Sequence, residues 1–195
     1  MRKSTRTALR AALTVLLCAA VIIPGTLLLG HGYRRYMTAI YPLEHQQLVE
    51  AAGQEHSIPT SLIYAIIHTE SSFEETALST AEAKGLMQLT DATFRWALNR
   101  AGESDRYTPE DLYNPAINIR YGVYVLALLR EQFESTDTVL AAYNAGQGRV
   151  REWLKDPAFS ADGVHLDSIP YKETADYVQR VTAAQKRYQT LYDIQ

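Results

Sequence analysis

Apolar residues recur at helical spacing through most of the chain beyond residue 40, and no segment shows the sustained alternation of a half-buried strand. The clearest helix follows Asn114, where a capping residue stands directly before a proline. One face of this helix carries Ile117, Tyr121, Tyr124, Val125 and Leu128. The pattern predicts a compact all-α domain built around one core.

Proline, glycine and capping residues predict where the other helices begin and end. We expect helices over about 42–55, 59–70 and 171–191, and a further helix capped by Asp91. Asp137 is the expected cap of a shorter helix that Gly146 ends, and one or two turns follow it. The inner stripe of the last helix is expected to comprise Val178, Val181, Gln185, Tyr188 and Tyr192.

One ionisable residue, Glu70, interrupts this apolar pattern. At helical spacing it falls on the same face as three preceding isoleucines, Ile63, Ile66 and Ile67. Apolar surroundings and the negative end of the helix dipole both disfavour the carboxylate and raise its pKa. Such a carboxylic acid can donate a proton near neutral pH. The competing interpretation is that Glu70 merely ends a buried helix and turns its carboxyl to water.

The N-terminal segment predicts a membrane anchor. Four basic residues in the first ten precede a weakly polar or apolar run over residues 11–30, about the twenty residues that a helix needs to cross a bilayer. Only two basic residues, Arg34 and Arg35, follow it closely, so the charge balance favours the N-terminus inside. We expect a cytoplasmic tip and single-pass anchor over 1–30, a linker over 31–40, and an extracytoplasmic domain over 41–195 of a cell-membrane protein. A cleaved secretory signal stays the alternative.

Composition narrows the classes of partner. The 195 residues carry a formal net charge of -3, and beyond the basic first ten residues the chain is mildly acidic, which argues against nucleic acid. The single cysteine, Cys18, lies inside the apolar run, so the domain has no disulfide, metal-thiolate site or cysteine nucleophile. We expect no metal and no cofactor. Thirteen tyrosines offer flat apolar faces with hydroxyls, as sugar-binding clefts require, although most could serve packing.

Five motifs follow one another along the chain: Glu70–Phe73 (ESSF), Gly85–Thr90 (GLMQLT), Asn114–Ile119 (NPAINI), Ala142–Gly146 (AYNAG) and Ile169–Thr174 (IPYKET) with Tyr177–Val178. Together they resemble those of soluble-lytic-transglycosylase (SLT) domains, which share the lysozyme-like fold of goose-type lysozymes. The resemblance covers about residues 41–192. It implies cleavage of the peptidoglycan glycan strand between N-acetylmuramic acid and N-acetylglucosamine without water, leaving an anhydromuramyl end, and it leaves the oligomeric state open.

The resemblance also implies roles for single residues. Glu70 would be the acid and then the base. Gln88 would donate and accept hydrogen bonds to the sugar, and the hydroxyl of Tyr143 would stabilise positive charge at the reacting carbon. Thr90 stands where many relatives carry an apolar residue, which leaves sugar packing there open. The substrate-binding residues implied are Ser79, Met87, Gln88, Tyr143, Asn144 and Glu173. Three of them also have a structural interpretation: Tyr143 as core, Asn144 as a helix C-cap, and Glu173 as an acid favoured by a helix dipole.

Two other functions stay open from the sequence. A goose-type muramidase on the same fold would hydrolyse the bond and would need a second carboxylate to hold water. Glu74, Glu75 and Glu82 lie in the loop after Glu70 and could supply one. The other possibility is a membrane-anchored wall-binding protein without turnover.

Overall fold

The computed structural model describes residues 20, 22, 25, 26 and 28–195. The chain forms two compact units, which divide between Pro42 and Leu43. In the first unit, residues 28–40 are helical. Among the described residues, no helix is both long enough and apolar enough to cross a bilayer. The predicted anchor over 1–30 lies largely outside the described residues, so it stays a prediction. The predicted linker over 31–40 lies within the helical residues and also stays a prediction as a linker.

The second unit, residues 43–195, is all-α, which confirms the predicted class. Within it no strand is present, and only isolated bridges join Leu78 to Lys84 and Lys84 to Leu89. Its helices are α1 (Gln46–His56), α2 (Thr60–Ser71), α3 (Asp91–Ala101), a 3₁₀ helix (Pro109–Tyr113), α4 (Pro115–Arg130), α5 (Thr136–Ala145), α6 (Gln147–Lys155) and α7 (Lys172–Tyr192).

Most predicted helix boundaries are confirmed to within one or two residues, and α1 is the main exception. It begins at Gln46 rather than near residue 42, because His45 adopts a left-handed conformation with φ 54°. The start of α4 is confirmed in detail. The Asn114 side chain accepts a hydrogen bond from the Ala116 N–H, and Pro115 occupies the first helical position.

Two predicted caps are wrong by one or two residues. Thr90 rather than Asp91 caps α3, since its side chain accepts from the Thr93 N–H. Ser135 rather than Asp137 caps α5 in the same way. In both cases a hydroxyl residue takes the cap and the aspartate lies in the first turn, where the helix dipole favours a negative charge.

α4 is the central helix of the domain. It packs against α1, α3 and α5, while α2 packs along α7. Its buried residues lie on the predicted stripe, as Tyr121, Val125 and Leu128 do, and also on the opposite side, which carries Ile119, Val123 and Leu126. A helix that is buried on most sides carries apolar residues nearly all round, which explains why its pattern is broader than one stripe.

A buried asparagine on α4 holds the turn formed by residues 84–88. Asn118 accepts a hydrogen bond from the Met87 N–H at 2.7 Å through Oδ1. Its Nδ2 donates to the Lys84 carbonyl at 2.9 Å and to the Leu112 carbonyl at 2.8 Å. One amide therefore satisfies three backbone groups. Removing it would take the side-chain partner from the Met87 N–H and would leave the Lys84 carbonyl with the Leu89 N–H as its donor.

We predict that Gly85→Ala lowers the free energy of unfolding of the domain more than Gly102→Ala does. Both glycines have φ 71°, so alanine carries the same left-handed penalty of about 1–2 kcal/mol at each. At Gly85 the new Cβ would also lie 2.3 Å from the Leu112 carbonyl oxygen, whereas nothing lies within 4 Å at Gly102. We expect a further loss of about 1–3 kcal/mol at Gly85 in urea unfolding. Equal losses at the two positions would contradict this packing.

Candidate active site

Six of the seven predicted site residues line one open cleft with a volume of about 440 Å³. The cleft lies between the end of α2, the segment that precedes α3, the end of α5 and the start of α7. The six are Glu70, Ser79, Gln88, Tyr143, Asn144 and Glu173. The structure therefore brings together residues more than a hundred positions apart, while their roles stay predictions.

Met87, the seventh predicted residue, is not in the cleft. Its side chain is fully buried and packs against Gly122, where an added Cβ would meet the Met87 sulfur at 2.3 Å. The prediction that Met87 binds substrate is therefore wrong for its side chain. Its backbone carbonyl instead accepts a hydrogen bond from the Tyr143 hydroxyl at 2.8 Å.

Glu70 lies in the last turn of α2, which ends where Ser72 adopts a left-handed conformation. Its side chain is half-buried at the cleft wall. Burial raises its pKa to about 7, and interactions with Tyr177 and Arg180 of α7 offset part of that rise. The carboxyl can therefore be protonated or ionised near neutral pH, as an acid that later acts as a base must be.

Two residues of α7 that the sequence analysis gave no role reach Glu70. The hydroxyl of Tyr177 interacts with the carboxyl, although its Oη has no partner at full hydrogen-bond geometry among the described residues. Burial and the neighbouring Glu70 raise the pKa of Tyr177 well above its usual value, so the phenol stays neutral. Arg180 follows three residues later. Glu173 lies four residues before Tyr177, so all three residues share one face of α7. This helical spacing is the feature of the sequence that could have identified Tyr177 and Arg180.

The Tyr143 hydroxyl has one defined orientation. It donates its hydrogen to the Met87 carbonyl, so only oxygen lone pairs are left to act in the cleft. Burial, and then the charge of Glu70, raise the pKa of this phenol well above its usual value. The group is therefore a neutral acceptor close to the acid, which suits stabilisation of developing positive charge.

The Asn144 amide is also oriented by a neighbour. The buried Thr174 hydroxyl donates to Asn144 Oδ1 at 2.8 Å, which leaves the NH₂ group as the donor on the cleft side. Asn144 lies inside the last turn of α5, and Gly146 is the C-cap residue, so the capping interpretation of Asn144 is wrong. The sequence analysis placed Thr174 in the motif over residues 169–174 but gave it no role.

Gln88 offers less to a ligand than predicted. Its Nε2 already donates to the Ala77 carbonyl at 3.2 Å and to the Gly85 carbonyl at 2.9 Å. The amide oxygen is the group left for a ligand, so Gln88 can accept a hydrogen bond but has no free donor. Its backbone lies in the left-handed region with φ 49°.

Three further residues complete the cleft walls. Ser79 Oγ accepts from the Ala81 and Ala83 N–H groups, so its hydroxyl hydrogen is free to donate. Thr90 lines the cleft while it caps α3. Its hydroxyl also pairs with that of Thr93 at 2.9 Å, which puts a polar pair where an apolar residue was the expected pattern. Glu173 is exposed in the first turn of α7.

The acidic residues of the loop after Glu70 do not line the cleft. Glu74 accepts hydrogen bonds from Thr76, and Glu75 lies 3.3 Å from His45. Glu82 is exposed. The other carboxylate on the cleft wall is Glu173. In the described part of the chain, no group of three or more His, Cys, Asp or Glu residues is placed to hold a metal ion.

The fold and cleft define a helical, lysozyme-like domain with one carboxyl that is protonable near neutral pH. Residues 47–164 match the family model described as "Transglycosylase SLT domain", and the chain belongs to this family. The chain is 34% identical over 150 residues to the soluble lytic murein transglycosylase of Escherichia coli, covering 76% of this chain and 23% of that relative. It is 32% identical over 162 residues to the membrane-bound lytic murein transglycosylase C of Haemophilus ducreyi, covering 72% and 44%.

Solved structures show the same relationship. An inactive mutant of the lytic transglycosylase Slt from Pseudomonas aeruginosa superposes with a TM-score of 0.68 at 34% identity, covering 80% of this chain and 25% of that one. A soluble lytic transglycosylase in complex with bulgecin A gives a TM-score of 0.70 at 29% identity, covering 79% and 25%. The chain therefore spans about a quarter of the length of these structures.

We predict that the Glu70→Gln domain is more stable than the wild type at alkaline pH, and that the two differ much less in stability at pH 5. A folded pKa raised to about 7 means that the folded state binds the proton more tightly than the unfolded chain does. Stability is then full below the unfolded pKa and is lost as pH rises through about 7. The loss in the free energy of unfolding is at most about 3 kcal/mol. Solvent at the carboxyl screens its charge and makes the loss smaller than that. Thermal unfolding of both proteins from pH 5 to 9 measures it, and parallel curves would contradict the assignment.

Proposed function

We propose that this chain is a peptidoglycan lytic transglycosylase. It cleaves the bond between N-acetylmuramic acid and N-acetylglucosamine and leaves an anhydromuramyl end. The observation that carries the proposal is a Glu70 carboxyl with a pKa of about 7 on the wall of a cleft otherwise lined mainly by neutral groups. The names of the relatives support the same activity.

In the first step, protonated Glu70 gives its proton to the glycosidic oxygen. The bond between that oxygen and the anomeric carbon breaks, and positive charge develops on the ring that stays bound. Tyr143 presents lone pairs toward this charge, because its hydrogen is held by Met87. The newly ionised carboxylate adds a second stabilising negative charge.

In the second step, the Glu70 carboxylate removes the proton from the hydroxymethyl group of the muramyl sugar. The freed oxygen attacks the anomeric carbon of the same sugar and closes the anhydro ring. Glu70 is then protonated again, and no water is consumed. The nucleophile belongs to the substrate, so one protein carboxyl is sufficient, and a pKa near 7 serves both half-reactions.

Hydrolysis is the second candidate, because Glu173 places another carboxylate on the cleft wall. A muramidase would use such a group to hold a water molecule across the sugar ring. The earlier candidates Glu74, Glu75 and Glu82 lose support, since none of them lines the cleft. Glu173 is exposed, whereas the strongly perturbed carboxyl of the cleft is Glu70.

Digestion of purified sacculi tests the proposal. We expect products that lack one water relative to hydrolysis products by mass spectrometry, and activity that falls as pH rises through about 7. Glu70→Gln should lower the rate at least about a thousandfold because it has no proton to give, whereas the loop variant Glu82→Gln should match the wild type. Products with the mass of hydrolysis products would establish hydrolysis if they are no longer formed when Glu173 is replaced by Gln. Sacculi bound but uncut by the wild type would indicate a wall-binding protein.

We predict that Thr174→Val lowers kcat/KM about tenfold, because loss of one hydrogen bond of about 1–1.5 kcal/mol frees the Asn144 amide to rotate. Thr174→Ser keeps the hydroxyl and should retain most of the activity. The two variants are compared by release of soluble glycan from sacculi, with melting temperatures as a control for folding. Equal activity of the valine and serine variants would show that Thr174 does not position Asn144.

We further propose that residues 1–30 hold the chain in the cell membrane, with residues 41–195 on the extracytoplasmic side. The basic tip followed by the apolar run over 11–30 supports this arrangement. The name of the Haemophilus ducreyi relative, membrane-bound lytic murein transglycosylase C, is in keeping with it.

Fractionation of cells that make the full chain with a C-terminal tag checks the anchor. We expect the protein to stay in the membrane after alkaline carbonate extraction, and the tag to be digested by protease added to spheroplasts. The mass of the intact protein should include the N-terminal segment. Release by carbonate with a mass lower by that segment would establish a cleaved signal instead, and a protected tag would contradict the orientation.

A further inference from the structure

The helix over residues 28–40 carries an exposed apolar stripe that the catalytic cleft does not use. Leu29, Tyr33, Tyr36 and Ile40 are 76%, 58%, 64% and 39% exposed, whereas Met37 is the buried residue within 28–40. At about 100° per residue, the four exposed residues fall within an arc of about 60°. We call these four residues the juxtamembrane stripe. Single exposed apolar residues are normal on protein surfaces, but four aligned on one narrow face indicate a contact.

The spacing of the juxtamembrane stripe is that of a helix pair. Its members follow one another at intervals of four, three and four residues, which is the a and d pattern of a heptad repeat. Ile22, seven residues before Leu29, is also helical and is 61% exposed, so the same register extends back into the proposed anchor. A seven-residue period gives a narrow seam suited to one partner helix, rather than the broad apolar face that packs on a protein core.

The residues outside the stripe agree with this register. Arg34 and Arg35 take the b and c positions, about 130° to either side of the middle of the stripe, and therefore face away from a partner helix. Gly30 and Gly32 take the e and g positions beside the stripe, and an added Cβ would meet nothing within 4 Å at either. Glycine weakens a helix relative to alanine. Small residues beside a seam let two helix backbones approach closely, which gives these two glycines a role.

Lipid does not cover the whole stripe. With residues 11–30 in the hydrocarbon core, as proposed above, a rise of about 1.5 Å per residue places Tyr36 about 9 Å and Ile40 about 15 Å beyond the last of them. The headgroup region on one side of a bilayer is only about 5–8 Å thick. Tyr36 and Ile40 therefore lie beyond the lipid, and in a single chain they would face water.

We infer that the juxtamembrane stripe pairs with the same stripe of a second copy of this chain, as a parallel two-helix coiled coil. The a and d register is self-complementary, and both copies cross the membrane in the same direction, so each stripe residue meets its equivalent. The stripe carries no charge, so two copies meet there without repulsion. The inference rests on the proposed anchor, because confinement to one membrane raises the effective concentration of the second copy.

Disulfide cross-linking of the full chain in membranes tests the pair. Cys18 is the single cysteine, so a Cys18→Ala background carries no other thiol. We expect Tyr36→Cys and Ile40→Cys, each alone in this background, to form disulfide-linked dimers when the membranes are oxidised, because equivalent stripe residues face each other. The matched controls Arg35→Cys and Thr38→Cys lie on the outward side of the helix and should form at least about tenfold less dimer. Non-reducing electrophoresis and the mass of the product measure the dimer.

A charge within the stripe should separate the two copies. We expect Tyr33→Glu to lower dimer formation through Ile40→Cys at least about tenfold, because two carboxylates would face each other across the pair. Arg34→Glu, one residue further along and on the outward side, should leave the dimer intact, and so should Tyr33→Phe. Alkaline carbonate extraction of each variant shows whether it is still in the membrane.

Three results would overturn the inference: equal cross-linking at stripe and control positions, no dimer at any position in protein that carbonate leaves in the membrane, or a product whose mass differs from twice that of the chain. The third would assign the stripe to another protein. The second would assign it to lipid where Ile40→Cys is also protected from a water-soluble maleimide.

Failure of the anchor is measured separately from failure of the pair. Release of the chain by carbonate contradicts the anchor, whereas stripe-specific dimers of the released chain still support the pair and their absence contradicts it. The cross-linking pattern does not depend on catalysis. The same pattern in Glu70→Gln protein therefore supports the pair even where the wild type makes no anhydromuramyl ends, a result that would contradict the proposed function alone.

Discussion

The buried amide of Asn118 is the interaction on which the cleft depends. It fixes the 84–88 turn to α4, and the carbonyls of that turn then accept hydrogen bonds from three cleft elements. Tyr143 is held by one, Gln88 by another, and Ser71, next to the acid, by a third at 2.8 Å. Buried hydrogen-bond networks of this kind are strong when every member is satisfied and costly when one is missing. A single asparagine thereby sets the relative positions of the acid and its neighbours.

The properties of Glu70 reflect a balance between two helices. Burial at the end of α2 favours the neutral acid, whereas Tyr177 and Arg180 of α7 favour the carboxylate. Burial alone would raise the pKa further and make the acid reluctant to give up its proton, whereas the α7 partners alone would leave the carboxyl ionised at neutral pH with no proton to give. The outcome near pH 7 suits a group that gives a proton and then takes one back, and it depends on the packing of α7 against α2.

In the rest of the cleft, neighbouring groups fix whether each neutral side chain presents a hydrogen-bond donor or an acceptor to a ligand. Tyr143 and Gln88 each have their donors engaged by backbone carbonyls, so both present acceptors. Asn144 has its oxygen engaged by Thr174 and presents a donor. Neutral groups with fixed polarity recognise hydroxyls and acetamides without attracting ions.

The sequence by itself determined the helices, because the 3.6-residue period and the local caps depend on neighbours a few residues away. It also placed Glu70 on an apolar stripe and predicted six of the residues that line the cleft. Only the tertiary structure decided which way each side chain turns. Met87 points into the core against Gly122, Gln88 has no free donor, and Thr174 orients Asn144. Asn144 and Thr174 lie 30 residues apart and Tyr143 and Met87 lie 56 apart, and local periodicity carries no information about such pairs.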